Sequence, residues 1–128
     1  LSNLQNALVF GTAVELLNPA AVTEDTDGTG IDVTAYEGEA VVILHSAAGT
    51  GTDPTLDVHV EESTDDSTYT DISGATFTQI DDTAGGSIQA ILINVSAAAQ
   101  YIRAAAEVTG TTPSFTCSAA FYGIKKTV

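Results

Sequence analysis

The sequence predicts an all-β fold, an antiparallel β-sandwich of the jelly-roll or Ig-like kind with about nine short strands. Three observations predict it. Apolar and polar residues alternate at Leu56-Asp57-Val58-His59-Val60-Glu61 and again from Ser114 to Tyr122, as half-buried strands require. The alphabet favours Thr, Val and Ile, which suit a pleated surface, and Gly, Asp and Ser, which build turns. Turn signals recur about every 8–12 residues, the spacing of a sandwich or barrel.

The elements follow in chain order. Leu1 to Phe10 is apolar-rich without period and suits a first strand or a docking arm. Ala13 to Leu17 reads as a strand halted by Asn18-Pro19, and Val22 to Gly30 as a polar loop. Ile31 to Tyr36 alternates, Glu37-Gly38-Glu39 turns, and Ala40 to His45 is a β-branched apolar run expected to be covered on both faces. A Gly/Ser/Ala/Thr loop, Ser46 to Pro54, precedes the strand around Leu56–Glu61. Tyr69 to Ile72 and Ala75 to Ile80 read as two strands of a hairpin tipped by Ser73-Gly74. Ser87 to Val95 carries apolar residues on both registers, which suggests a bulge or burial on both faces. Ala97 to Gln100 fits one helical turn. Tyr101 to Val108 is alanine-rich, but its flanks and the closing Gly110 and Pro113 favour strand over helix. In Ser114 to Tyr122, Phe115, Cys117, Ala119 and Phe121 point inward. The expected core includes Ile43, Leu56, Val58, Val60, Phe115 and Phe121.

The 128 residues suit one domain. Residues 1–12 form the N-terminal arm or first strand, and residues 13–128 form a single sandwich. Three cations (Arg103, Lys125 and Lys126) against 17 carboxylates give a net charge of −14. So few cations cannot neutralise a run of phosphates or hold an anionic bilayer, which excludes nucleic-acid and membrane-surface partners. No apolar run is long enough for a helix to span a membrane. One cysteine permits no internal disulfide. There is no Met, and the chain opens Leu1-Ser2-Asn3, so further residues are expected upstream.

Candidate chemistry is sparse. Asp25, Asp27 and Asp32 on a glycine-bent loop could offer oxygens to Ca²⁺, although Tyr36 stands where the closing glutamate of an EF-hand belongs. The simpler reading is an acidic turn whose carboxylates cap backbone amides. His45 and His59 have Ser46 and Asp57 nearby, but no Gly-x-Ser-x-Gly elbow raises a serine, and Asp57 and His59 look like solvated neighbours. No catalytic constellation, cofactor or obligatory metal is expected. Asn94-Val95-Ser96 fits a glycosylation sequon but begins inside an expected strand. The four tyrosines fall on different strands and suit edge and core packing better than a sugar platform. Arg103, alone in a long acidic stretch, suits either a carboxylate at the core edge or a reach across a subunit interface.

Several segments in order carry a resemblance. They are Val14 to Ala20, Gly51 to Val58, Glu61 to Asp66, Tyr101 to Ala104 and Gly110 to Phe115. This order resembles small acidic virion structural proteins of tailed bacteriophages found with the head genes. The resemblance covers most of the chain from Val14 onward, in turn and strand-edge patterns without a catalytic signature. It implies a capsid decoration (cement) protein, made in the host cytoplasm and bound on the virion capsid surface to the major capsid protein. Interface candidates are Leu4, Leu8, Val9 and Phe10 of the arm, with Arg103. A homo-oligomer, a trimer above other states, suits an icosahedral shell. A tail, collar or fibre component and a carbohydrate-binding or adhesive module are the alternative readings.

Overall fold

The computed structural model describes residues 11–83 and 85–126. Among them are eight strands and no helix. They are β1 (Gly11–Val22), β2 (Thr26–Asp27), β3 (Ile31–Asp32) and β4 (Tyr36–Ser46), then β5 (Thr50–Ser63), β6 (Thr70–Thr76), β7 (Ser87–Asn94) and β8 (Tyr101–Lys125). Every pairing is antiparallel.

One strand organises the molecule. β8 is 25 residues long and serves both sheets. Its second half lies between β1 and β4, and β7 follows on the far side of β4, making sheet A. Its first half lies between β5 on one side and the short β2 and β3 on the other, and β6 follows β5, making sheet B. The strand changes sheets near Gly110-Thr111-Thr112-Pro113. Gly110 has φ 119°, and a Cβ there would lie 2.9 Å from the Asp53 carbonyl oxygen. Glycine suits both constraints. Thr112 also stands at positive φ, at 48°.

The inward faces of the sheets form one core. Sheet A supplies Leu16, Val42, Leu44, Ile93, Phe115, Cys117 and Phe121, and sheet B supplies Leu56, Val58, Val60, Ile102 and Ala104. Phe121 meets Tyr36 edge to face at 5.0 Å between ring centroids, a favoured aromatic geometry. β4 and β5 bury alternate residues, as does β8 from Phe115 to Gly123, so period two turns directly into a two-layer core.

Several local expectations are corrected. β1 runs through Asn18-Pro19, because an edge strand can tolerate a missing N–H; register shifts flank the site instead. The shift after Glu15 leaves both Leu16 and Leu17 buried. Ile31 to Tyr36 is not one strand: β3 ends at Asp32, and the Tyr36 N–H closes a turn onto the Val33 carbonyl. Glu37-Gly38-Glu39 lies within β4 as an irregularity, with Gly38 at φ 71°. The loop expected from Ser46 to Pro54 yields at Thr50, where β5 begins. Within the supposed polar loop, Thr26 and Asp27 pair with β8.

The expected hairpin at Ser73-Gly74 is instead a bulge. Thr70 and Asp71 before it, and Thr76 and Ile80 after it, all face β5. β7 needs neither a bulge nor two buried faces, since it matches β4 residue for residue from Asn94 to Ser87. Ile43 is not core. It is 39% exposed, while Val42 and Leu44 on either side are buried. β4 is central in its sheet, but it is covered on one face only.

Candidate functional site

Among the described residues, two surfaces carry features that the fold alone does not require. The first is the outward face of sheet A. Register places Leu92, Val41, Tyr122 and Ala13 in one row across β7, β4, β8 and β1. Ala90, Ile43, Ala120 and Glu15 form the next, and Ile88, His45 and Ser118 the third. Ile88 is 70% exposed and Leu92 65%. The middle of this face is apolar, with Glu15 on the edge strand and Glu39 in the first half of β4. Contiguous bare aliphatics on a small domain are unusual and mark contact surfaces.

The second is the outward face of sheet B, which is charged. β5 presents Asp57, His59 and Glu61 at alternate positions. Glu61 pairs in register with Arg103 of β8 and with Asp71 of β6. The Arg103 Nε donates to Glu61 Oε1 at 2.8 Å, and a terminal guanidinium nitrogen lies 3.3 Å from Asp27 Oδ2. The Tyr69 ring stacks on the guanidinium at 4.1 Å. Burial first, and then the hydrogen bond its hydroxyl donates to Asp66, pushes the Tyr69 phenol up to about 12. His59 Nε2 lies 3.1 Å from Asp71 Oδ1 and 3.5 Å from Glu61 Oε2. Beneath this network Ala105 is buried although it points outward, because the larger side chains close over it.

The residues singled out from sequence fall as follows. Of the partners anticipated for Arg103, the chain itself provides carboxylates, Glu61 and Asp27. Asp25, Asp27 and Asp32 do not converge. Asp25 accepts the Val108 N–H, Asp27 meets Arg103, and Asp32 accepts the N–H and hydroxyl of Thr34. The Thr34 hydroxyl and N–H hold the Asp32 carboxyl below its ordinary range.

His59 is no solvated bystander; it is half-buried, with Nε2 close to the carboxylates of Asp71 and Glu61. Ser46 is buried with its hydroxyl donating to the Ala47 carbonyl, while its neighbour His45 faces outward, so the two do not meet. Cys117 lies in the core, and burial pushes its thiol up. Tyr69 and Tyr101 are near neighbours around Arg103, although Tyr36 and Tyr122 belong to the other sheet. Leu4, Leu8, Val9 and Phe10 lie outside the described residues.

Sequence reasoning missed both surfaces. Pairing of β5 with β6 brings Asp71 to His59 and Glu61, and only the register across the Ser73-Gly74 bulge shows it. The face of sheet A was hidden because Ile88-x-Ala90-x-Leu92 alternates as a core strand does.

No protein-family model and no curated protein matches this chain. Solved structures do. A structure of infectious bursal disease virus, Gx strain, superposes with a TM-score of 0.63 at 13% identity, over 88% of this chain and 31% of that one. The VP2 subviral particle of infectious bursal disease virus gives 0.57 at 9% identity, over 90% of this chain and 32% of that one. The exported protein XepA of PBSX gives 0.51 at 19% identity, over 91% and 38%. The chain thus spans between three-tenths and two-fifths of the length of each. At these identities the likeness is one of fold, the antiparallel β-sandwich.

Proposed function

We propose that this protein is a non-enzymatic structural component of a tailed-phage virion, a decoration (cement) protein that binds the outer surface of the major capsid protein shell and stabilises it. The observation that carries the proposal is the bare apolar face of sheet A, centred on Ile43, Ile88 and Leu92. Its occupant is a shell subunit. The charge of −14 repels other acidic surfaces from that face. A fixed shell with an apolar, neutral or basic surface meets no such repulsion. Two further observations support the reading: the phage-like order of turn motifs, and a sandwich shared with proteins of viral and prophage origin.

Its strand edges and N-terminal arm join neighbouring shell subunits, and a trimer of the protein fits the quasi-threefold positions of a shell. The contact with the shell should bury more than about 1,000 Å² in total, the size of a specific interface.

The test is occupancy on purified particles. The wild-type protein should be present at hundreds of copies per particle on the head. Ile88→Asp combined with Leu92→Asp should abolish decoration, and deletion of residues 1–10 should reduce it. Full decoration by the double variant overturns the docking face. Recovery of the wild type only in tails, at a few to tens of copies, overturns the function.

A further inference from the structure

The charged face of sheet B holds a donor set that neither capsid binding nor the fold requires. We propose that His59, Glu61 and Asp71 form a binding site for a divalent transition ion of the zinc class, which staples the edge strand β6 to β5. His59 Nε2, a Glu61 oxygen and an Asp71 oxygen all lie within 4.8 Å of one another. A tetrahedral zinc with bonds of about 2.0–2.2 Å sets its ligand atoms roughly 3.3–3.6 Å apart. Two of the three edges, at 3.1 and 3.5 Å, already stand close to that length. The third, between Glu61 and Asp71, lies within 4.8 Å, and the Asp71 side chain is 76% exposed.

The donor chemistry selects the metal. One imidazole nitrogen with two carboxylate oxygens suits zinc and its neighbours, whereas calcium wants six to eight oxygens. The ligands are also oriented. Glu61 gives Oε1 to Arg103 and turns Oε2 towards His59, and Arg103 is itself steadied by Asp27 and Tyr69. Outer partners of this kind fix a ligand for a metal. Charge points the same way. Arg103 serves Asp27 and Glu61 while Asp71 meets only His59, so three carboxylates share one guanidinium charge on this face, and a dication would balance the two that remain. A metal takes the His59 imidazole through a deprotonated Nε2, so binding is pH-dependent.

The place is mechanically sensible too. The β5–β6 ladder shifts register between His59 and Glu61, beside the Ser73-Gly74 bulge. Bulges re-aim side chains, and here the shift brings Asp71 opposite Glu61. Solvent takes the fourth position.

The experiment is a zinc titration of the untagged full chain by calorimetry, with thermal denaturation in parallel. One zinc should bind per chain, raise the melting temperature, and be reversed by EDTA, while Ca²⁺ at the same concentration does neither. Asp71→Asn and His59→Gln should each weaken zinc binding at least about 10-fold. Asp71 is exposed, so its variant should melt as wild type does without metal, and His45→Gln should bind zinc normally. Absence of binding, or equal binding by Asp71→Asn, overturns the site. Binding lost only in His45→Gln would place the ion elsewhere and overturn it equally.

Discussion

The two outward faces of this sandwich solve the same problem in opposite ways. Both are built from antiparallel ladders, and both share strand β8. On sheet B, Arg103 and His59 meet Asp27, Glu61 and Asp71, so most polar groups find partners within the chain. On sheet A, Ile43, Ile88 and Leu92 stand bare. A face of charged groups gains little from an apolar partner, and the charge left over there calls only for a small ion. A bare apolar face gains roughly 25 cal/mol for each Å² that a partner removes from water. The difference shows where an outside molecule has most to offer.

The largest test of this contrast goes beneath both faces. Phe121 is buried in the common core and pairs with Tyr36. Phe121→Ala should cost about 3–5 kcal/mol, read as a fall in the denaturant midpoint, because the cavity cannot close within two packed sheets. Leu56→Ala, from the other sheet, should cost about 2–5 kcal/mol. A change under about 0.5 kcal/mol in both variants would mean that the sheets do not share a core.

Next comes the charged network. Arg103 and Glu61 are 22% and 14% exposed, between the surface and buried regimes. Arg103→Met should therefore destabilise by about 1–2 kcal/mol, leaving Asp27 and Glu61 without their cation. Arg103→Lys should recover only part of the loss, since a point charge cannot serve two carboxylates and stack on Tyr69 as a planar guanidinium does. Equal stability of Arg103→Met and wild type would reduce the network to ornament.

How much of this was legible beforehand differs between the faces for a physical reason. Alternation identified the strands around Val58 and Phe121 and the inward register of each, because hydrophobic residues on one side of a ladder leave little choice. It failed at Ile43 and across β7. There, apolar residues fill both registers, and nothing in the sequence says which register meets water. Arg103 was legible as a residue in need of a carboxylate, but which one depended on strand pairing. Glu61 lies 42 positions away. The same holds for His59 and Asp71, joined only through a bulge that reads as a hairpin tip. Strand ends were misplaced wherever glycine or proline sits inside a strand, as at Pro19 and Gly38, since edges and bulges accept residues that central ladders reject.

A smaller effect concerns the acidic turns at the rim of both sheets. Asp65 accepts N–H groups from Thr68 and Ser67 and the hydroxyl of Ser63, and Asp81 accepts the hydroxyl and N–H of Thr83. These bonds hold both carboxyls below their ordinary value of 3.8, and Thr34 does the same for Asp32. A carboxyl depressed in the folded state stabilises it above the unfolded value, and that contribution is lost as pH falls through the folded one. Melting temperature from these turns should therefore hold from neutrality to about pH 4 and decline below it. Asp65→Asn should flatten the decline. A melting temperature that rises between pH 4 and pH 2 would have the sign wrong.

The smallest effect on folding should come from the face with most to offer a partner. Ile88 and Leu92 are 70% and 65% exposed and belong to strand β7, which among the described residues pairs with β4 alone. Replacing both by Asp removes little buried area, so stability should change by no more than about 0.5 kcal/mol per site. The same pair should abolish binding to the shell, because a desolvated carboxylate in an apolar contact costs far more than the apolar area it replaces. Denaturant midpoints and particle occupancy measured on one preparation separate the two effects. If the double variant unfolds as Phe121→Ala does, this face is part of the core and not a surface for a partner. If it folds as wild type and decorates as wild type, the bare aliphatics of sheet A have no docking role, and the contrast between the faces ends at their chemistry.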